Sequence, residues 1–233
     1  MKPETRGEKL RGGPVIRLVG YTLAPAGKGN GIAGADFSLF PGEAWSIGSD
    51  QPDDAHLFMR ALATLCAPAG GDYFYAGSLL DFSDYRLLLP YKRRIGYISP
   101  DSALISNRTI RDNLRLMKSY FENASPGDPF PEMDELCRFF HIEDKLDLRP
   151  SGLDREDLRL AVVVRELIKN PEVVLVERPR DFLGLKRYGL FSSVLGETVR
   201  AGVPLVFLSS DEGFIREFSN REASIENGRL RIF

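Results

Sequence analysis

Residues Arg149–Pro179 read RPSGLDREDLRLAVVVRELIKNPEVVLVERP, and the order of signals inside that stretch decides the fold. A helix pattern runs from Arg155 to Lys169, Asn170-Pro171 breaks it, and the run Val173–Val176 that follows is apolar at every position. A strand without a polar face is covered on both sides, the condition of a parallel sheet. Toward the C-terminus the helix pattern Lys186–Arg200 and the strand Pro204–Ser209 repeat the alternation, and IENGRLRIF reads as a hairpin turning at Asn227-Gly228. Toward the N-terminus, Ala44–Gly48 and Arg94–Ser99 are strands, and Asp53–Cys66 is a helix with Leu57, Phe58, Leu62 and Leu65 on one face. Thr109–Phe121 and Glu132–Phe140 are helical, with ENASPGDPFPE between them as a linker. Pro14–Leu23, Ala35–Leu39 and Tyr73–Tyr75 are further strands, and the Gly-, Ala- and Pro-rich Ala24–Gly34 is a loop. Helices alternating with apolar strands imply an α/β fold with a parallel sheet covered on both faces.

The chain's 233 residues suit one large or two tightly joined units, and 43% hydrophobic with 27% charged residues excludes a disordered or fibrous chain. With 31 basic against 33 acidic residues, the net charge of −2 exerts no overall pull on nucleic acid or anionic lipid. Cys66 and Cys137 are too few for a disulfide framework or a metal site of their own. No run approaches the roughly 18 apolar residues of a membrane span, and the charged start MKPETRGEKLRGG lacks the apolar core of a secretory signal. The expectation is a cytoplasmic chain, with residues 1–13 a flexible arm and 14–233 a single domain.

The segment Ala44–Leu65, AWSIGSDQPDDAHLFMRALATL, has the strand, glycine, short loop and helix layout of a phosphate-binding loop. It is followed by GYISPDSALISNRTIRDNL (Gly96–Leu114), then by Arg149–Pro179, then by FLSSDE (Phe207–Glu212). In that order and spacing the chain, from Val15 onward, resembles the ATP-binding subunit of ABC (ATP-binding cassette) transporters. The resemblance implies a P-loop NTPase-like α/β cassette: a parallel-sheet core, an antiparallel β subdomain and an α-helical subdomain at about residues 101–160.

The chemistry of that family needs backbone N–H groups wrapped round the phosphates, a lysine on the β- and γ-phosphates and a hydroxyl on Mg²⁺. Here the loop runs from Gly48 to Ala55. Asp53 stands at the second glycine, Asp54 at the lysine and Ala55 at the hydroxyl, with His56 next; Pro52 also removes a donor. Replacing a cation beside a phosphate by an anion turns an attraction of about 4 kcal/mol into a repulsion of similar size, at an effective dielectric near 20. Acidic residues at a helix start also complement its dipole, so Asp53 and Asp54 are expected to cap the helix where the family binds phosphate. Pro100 occupies the position of the glutamine that contacts metal and water. Glu177 is a carboxylate where the family has the metal-side aspartate, and Arg178 stands at the general base, where a guanidinium accepts no proton. Glu177 and Arg178 are expected to form a structural ion pair or surface contacts. Ser210 replaces the switch histidine, and Tyr21 lies early for an adenine-stacking aromatic. The signature run is Leu153-Asp154-Arg155-Glu156-Asp157, whose acidic side chains are expected to crowd and repel a γ-phosphate.

The resemblance therefore implies a cassette subunit that docks on a membrane permease near Asp101–Asn107, peripheral to the inner or plasma membrane, without hydrolysing ATP. No cofactor is expected, and ATP with Mg²⁺ enters only under the alternative, a conventional transport ATPase. A scaffold or regulatory module without a transporter is the remaining alternative. A homo- or heterodimer with another cassette is expected, with Asp53, Asp54, Arg155 and Arg178 available for pairs across its interface, and no nucleic acid. Basic Lys92-Arg93-Arg94 reads as a solvated face.

Overall fold

A computed structural model describes residues 12–122 and 128–233, the side chain of Glu122 excepted. The expected arm at residues 1–13 lies almost wholly outside the described residues, as does the middle of the linker between the helix patterns. Along the chain come β1 (Ile16–Leu23), β2 (Ile32–Leu39), β3 (Ala44–Ser49), α1 (Pro52–Leu62), β4 (Gly70–Tyr75), β5 (Ser78–Leu79), α2 (Tyr85–Lys92) and β6 (Ile95–Ile98). Then follow α3 (Ile110–Glu122), α4 (Pro131–Phe139), α5 (Arg155–Leu167), β7 (Val173–Glu177), α6 (Leu185–Arg200), β8 (Leu205–Leu208), α7 (Glu212–Phe218), β9 (Arg221–Glu226) and β10 (Arg229–Ile232).

The strands form two sheets. One is antiparallel in the order β2-β1-β4-β5; the other runs β10-β9-β3-β8-β7-β6. In the second sheet β9, β3, β8, β7 and β6 are parallel, and β10 joins antiparallel through Asn227 and Gly228, both at positive φ as a two-residue hairpin turn requires. Every residue of β7 is buried, and its alternation divides two cores. Val173 and Leu175 face the core shared with α1 and the antiparallel sheet, while Val174 and Val176 face the core built by α3, α4, α5, α6 and α7. Between the two sheets, Phe37 of β2 stands edge-on to Trp45 of β3 at 5.1 Å and to Phe58 of α1 at 5.4 Å, fixing α1 in the middle layer.

Several boundaries differ from the sequence reading. Helix α1 stops at Leu62 because Thr64 turns to φ 59°, leaving Leu65 outside the helix. Strand β2 begins at Ile32, inside the expected loop, and passes through Gly34 at positive φ. Helix α2 was not expected, because Pro90 lies within it; Asp84 starts it by accepting from the Arg86 N–H at 2.9 Å. Pro52 is the first residue of α1, where its missing N–H would have had no partner in any case.

Candidate functional site

The turn after β3 carries Gly48 into α1. Ser49 Oγ donates to the Gln51 carbonyl at 2.7 Å, and Asp50 Oδ2 accepts from the Asn227 N–H at 3.0 Å, so this turn is tied to itself and to the β9–β10 hairpin. Gln51 precedes α1 with no side-chain cap. Asp53 and Asp54 do not cap the helix either, and here the sequence expectation is corrected. Their carboxylates reach across to the loop between β1 and β2. Asp53 Oδ2 accepts from the Lys28 N–H at 2.7 Å, and Asp54 accepts from the Gly31 N–H at 2.9 Å and the Asn30 N–H at 3.1 Å. Asp54 is wholly buried. The glycines make this approach possible: a Cβ at Gly27 would stand 2.4 Å from Asp53 Oδ2, and one at Gly29 only 2.2 Å from Asp54 Oδ1. The loop 27–31 is thus an anion-receiving backbone turn whose anions are the chain's own carboxylates. Asp54 is consequently not available for a pair across a dimer interface.

Glu177 ends β7 fully buried, and it pairs neither with Arg178 nor with the surface, contrary to expectation. Its Oε1 accepts from the Tyr97 hydroxyl, and its Oε2 lies 2.8 Å from His56 Nδ1. His56 Nε2 in turn lies 3.5 Å from Asp101 Oδ2. The hydrogen bond to Glu177 raises the His56 pKa from its ordinary value. Burial and Arg60 oppose that rise, while the charges of Glu177 and Asp101 add to it. At Tyr97 burial itself is the main cause of an upward shift, with the charge and hydrogen bond of Glu177 adding to it, so the hydroxyl stays a donor. Ala55 is buried with no polar group to offer, and Pro100 lies in the turn closed by the Ser102 N–H donating to the Ser99 carbonyl at 3.1 Å. Arg178 adopts the left-handed conformation, φ 45° and ψ 55°, and its half-exposed guanidinium stands 3.7 Å from Asp181. Ser210 is exposed beyond β8, beside Asp211, which starts α7 by accepting from the Phe214 N–H at 3.0 Å and pairs with Arg180 at 2.6 Å.

The signature run also turns inward. Asp154 caps α5 by accepting from the Asp157 N–H at 2.8 Å, and Glu156 accepts from the Gly184 N–H at 2.7 Å. Asp157 is buried against Lys145 and Arg187; burial pushes its pKa up, but hydrogen bonds and charge from those two cations outweigh burial and hold it below the usual carboxylate range. All three carboxylates thus have partners within the fold, Asp157 buried while Asp154 stays exposed and Glu156 half-buried. Leu153 packs on the helical core and Arg155 is exposed. Tyr21 is buried edge-on to Tyr73 at 6.1 Å, so it has no face free for a base. Sequence reading missed Gly27–Gly31, Tyr97, Lys145 and Arg187, and only the glycine density of the loop gave a signal for the first of these.

A second feature lies beside this region. A groove of about 550 Å³ runs between α2, α3 and β6, with Leu65, Tyr85 and Tyr120 exposed along it and Tyr97, Ser102 and Lys169 also in its lining. No helix among the described residues is long and apolar enough to cross a membrane, and none of their His, Cys, Asp and Glu groups is arranged to hold a metal ion.

Comparison with known proteins sets this geometry among relatives. The dimeric cassette MJ0796, described as a bacterial ABC transporter cassette, superposes with a TM-score of 0.79 at 19% identity, covering 93% of this chain and 96% of its own. The fold is that of an ATP-binding cassette. The cbiO1 subunit from Clostridium perfringens, part of the ABC transporter complex cbiONQ, shares the same architecture with a TM-score of 0.69 at 14% identity, over 94% of this chain and 87% of that one. In sequence, the molybdenum import ATP-binding protein ModC of Escherichia coli K12 is 28% identical over 177 residues, 75% of this chain and 48% of that protein; ModC of Shigella flexneri matches equally. The chain thus spans about half the length of the curated relatives it matches. No family model matches the chain.

Proposed function

We propose that the chain is a cassette subunit that docks on a membrane permease at its cytoplasmic face and does not hydrolyse ATP. The observation that carries this reading is the seat at the start of α1, where the carboxylates of Asp53 and Asp54 already lie against the backbone N–H groups of Lys28, Asn30 and Gly31. A triphosphate entering there meets two anions, Asp53 where the family has a glycine and Asp54 where it has a lysine, each repelling it by about 4 kcal/mol per close charge pair at an effective dielectric near 20. Glu177 has one oxygen on Tyr97 and the other on His56, Ala55 brings no hydroxyl, and Arg178 accepts no proton. These residues do not fit Mg-ATP. The exposed apolar groove beside Tyr85 and Tyr120 supports a partner, since a contiguous apolar face on a folded chain marks a docking site. A partner cassette, by analogy of fold with the dimeric relative, completes the assembly.

Calorimetric titration with Mg-ATP and phosphate release in the presence of a co-purified permease test the reading. No saturable heat below roughly millimolar nucleotide, and no turnover, is expected. Micromolar binding, or turnover abolished by Glu177→Gln, overturns it and restores the conventional transport ATPase.

A further inference from the structure

Glu177 is a fully buried carboxylate, and a buried carboxylate needs a compensating positive charge or it picks up a proton. Its hydrogen-bonding neighbours among the described residues are the Tyr97 hydroxyl from β6 and His56 Nδ1 from α1. The other ring nitrogen of His56 faces Asp101, 3.5 Å away in the segment that leads from β6 toward α3. Both ring nitrogens therefore face carboxylate oxygens, which only accept, whereas a neutral imidazole has a single N–H to give. Two carboxylates on either side of the ring, at 2.8 and 3.5 Å, favour its doubly protonated form. Arg60, one turn further along α1, is the other charged group near it and opposes its charge.

We propose that His56 is a built-in counter-charge: its imidazolium fastens α1 to Glu177 on β7 and to Asp101 on the segment after β6, so that this segment is held to the core by the chain itself. Three pieces distant in sequence meet on one ring, at residues 56, 101 and 177. A neutral donor in the same place would serve Glu177 but would leave its charge uncompensated, and would hold Asp101 weakly. The role thus belongs to the charge, not only to the hydrogen bond.

The clasp is tested on nucleotide-free protein, so its failure and the failure of the proposed loss of hydrolysis read out separately. Wild type, His56→Gln and His56→Ala are compared by thermal unfolding, with millimolar magnesium chloride or with EDTA, and by hydrogen exchange over residues 99–103. Wild type is expected to melt at the same temperature with magnesium and with EDTA. Both variants are expected to melt lower by about 5 °C or more and to exchange about tenfold faster in that segment. Glutamine keeps an N–H toward Glu177 and close to the same volume, so it separates charge from packing should the alanine variant fold poorly. A His56→Gln protein as stable and as protected as wild type overturns the proposal, and so does a wild type that gains several degrees from magnesium alone.

Discussion

Truncation of Asp54 is the sharpest perturbation of the seat at the start of α1. The carboxylate is wholly buried and accepts from Gly31 N–H at 2.9 Å and Asn30 N–H at 3.1 Å. In Asp54→Ala both donors lose their partner. Asn30 is exposed and water replaces the carboxylate there, but Gly31 is buried, so its N–H stays orphaned. An orphaned buried donor costs about 1–3 kcal/mol, and the loss of the charge-assisted bond to Asn30 brings the total to about 2–4 kcal/mol. For a chain of this length that is a fall in Tm of roughly 5–15 °C. Asp53→Ala is the control. Its carboxylate accepts from the exposed Lys28 N–H at 2.7 Å, where water substitutes readily, and its cost is about 1 kcal/mol or less. Asp54→Asn, which keeps one acceptor oxygen, falls between the two. Urea unfolding followed by circular dichroism measures all three against wild type, with the slope of the transition checked for constancy. If Asp54→Ala unfolds within about 0.5 kcal/mol of Asp53→Ala, Asp54 is not the anion held by the glycine loop, and the basis for a self-filled seat is gone.

The remaining predictions concern the clasp, the signature helix and the groove. His56 has a folded pKa raised above its ordinary value of 6.5, so its stabilisation is fully present below that value and is lost as pH rises through the folded pKa. The urea midpoint of wild type should therefore fall on the alkaline side of pH 6.5, and His56→Gln should show a flatter profile there. Arg187→Ala leaves the buried Asp157 with Lys145 alone and should cost about 1–3 kcal/mol. Asp157 titrates below its ordinary value, so it stabilises the fold above that value and the contribution disappears as pH falls through the folded pKa; in Arg187→Ala the acid unfolding midpoint should move to higher pH. Tyr85→Asp combined with Tyr120→Asp changes two exposed side chains of the groove, leaving stability within about 0.5 kcal/mol while abolishing co-purification with a membrane subunit; unchanged co-purification removes the groove as the docking face.

The parallel core was legible because its strands declare themselves by composition: VVLVE in β7 and LVFL in β8 are buried at every position, and no half-exposed strand reads that way. The helices with long apolar stripes were legible for the same reason. Helix α2 was not, since its eight residues include Pro90 and bury only Leu88, so neither length nor periodicity separates it from a loop. Helix α7 is seven residues long, and its starting Asp211 was read for its place in a motif and not for the cap it makes.

The site was legible in its chemistry and illegible in its contacts, and the difference is one of distance along the chain. That Asp53 and Asp54 are anions at the start of a helix is a local fact, and local reasoning sent them to the helix's own N–H groups. Their partners lie 23 to 25 residues away in a glycine-rich loop that sequence marks only as a turn. Local reasoning also made Glu177 the neighbour of Arg178, yet β7 ends at Glu177 and the chain leaves the strand direction at the next residue. Glu177 turns toward α1 and finds His56, 121 positions earlier, while the backbone of Arg178 swings into the left-handed region and carries its guanidinium away. Spacing tells which charges a fold must accommodate; only the crossing of its layers tells which of them answer one another. Here the crossings pair the changed residues with each other, carboxylate with glycine loop and imidazole with buried carboxylate, which is what a seat that holds itself together in the absence of a ligand requires.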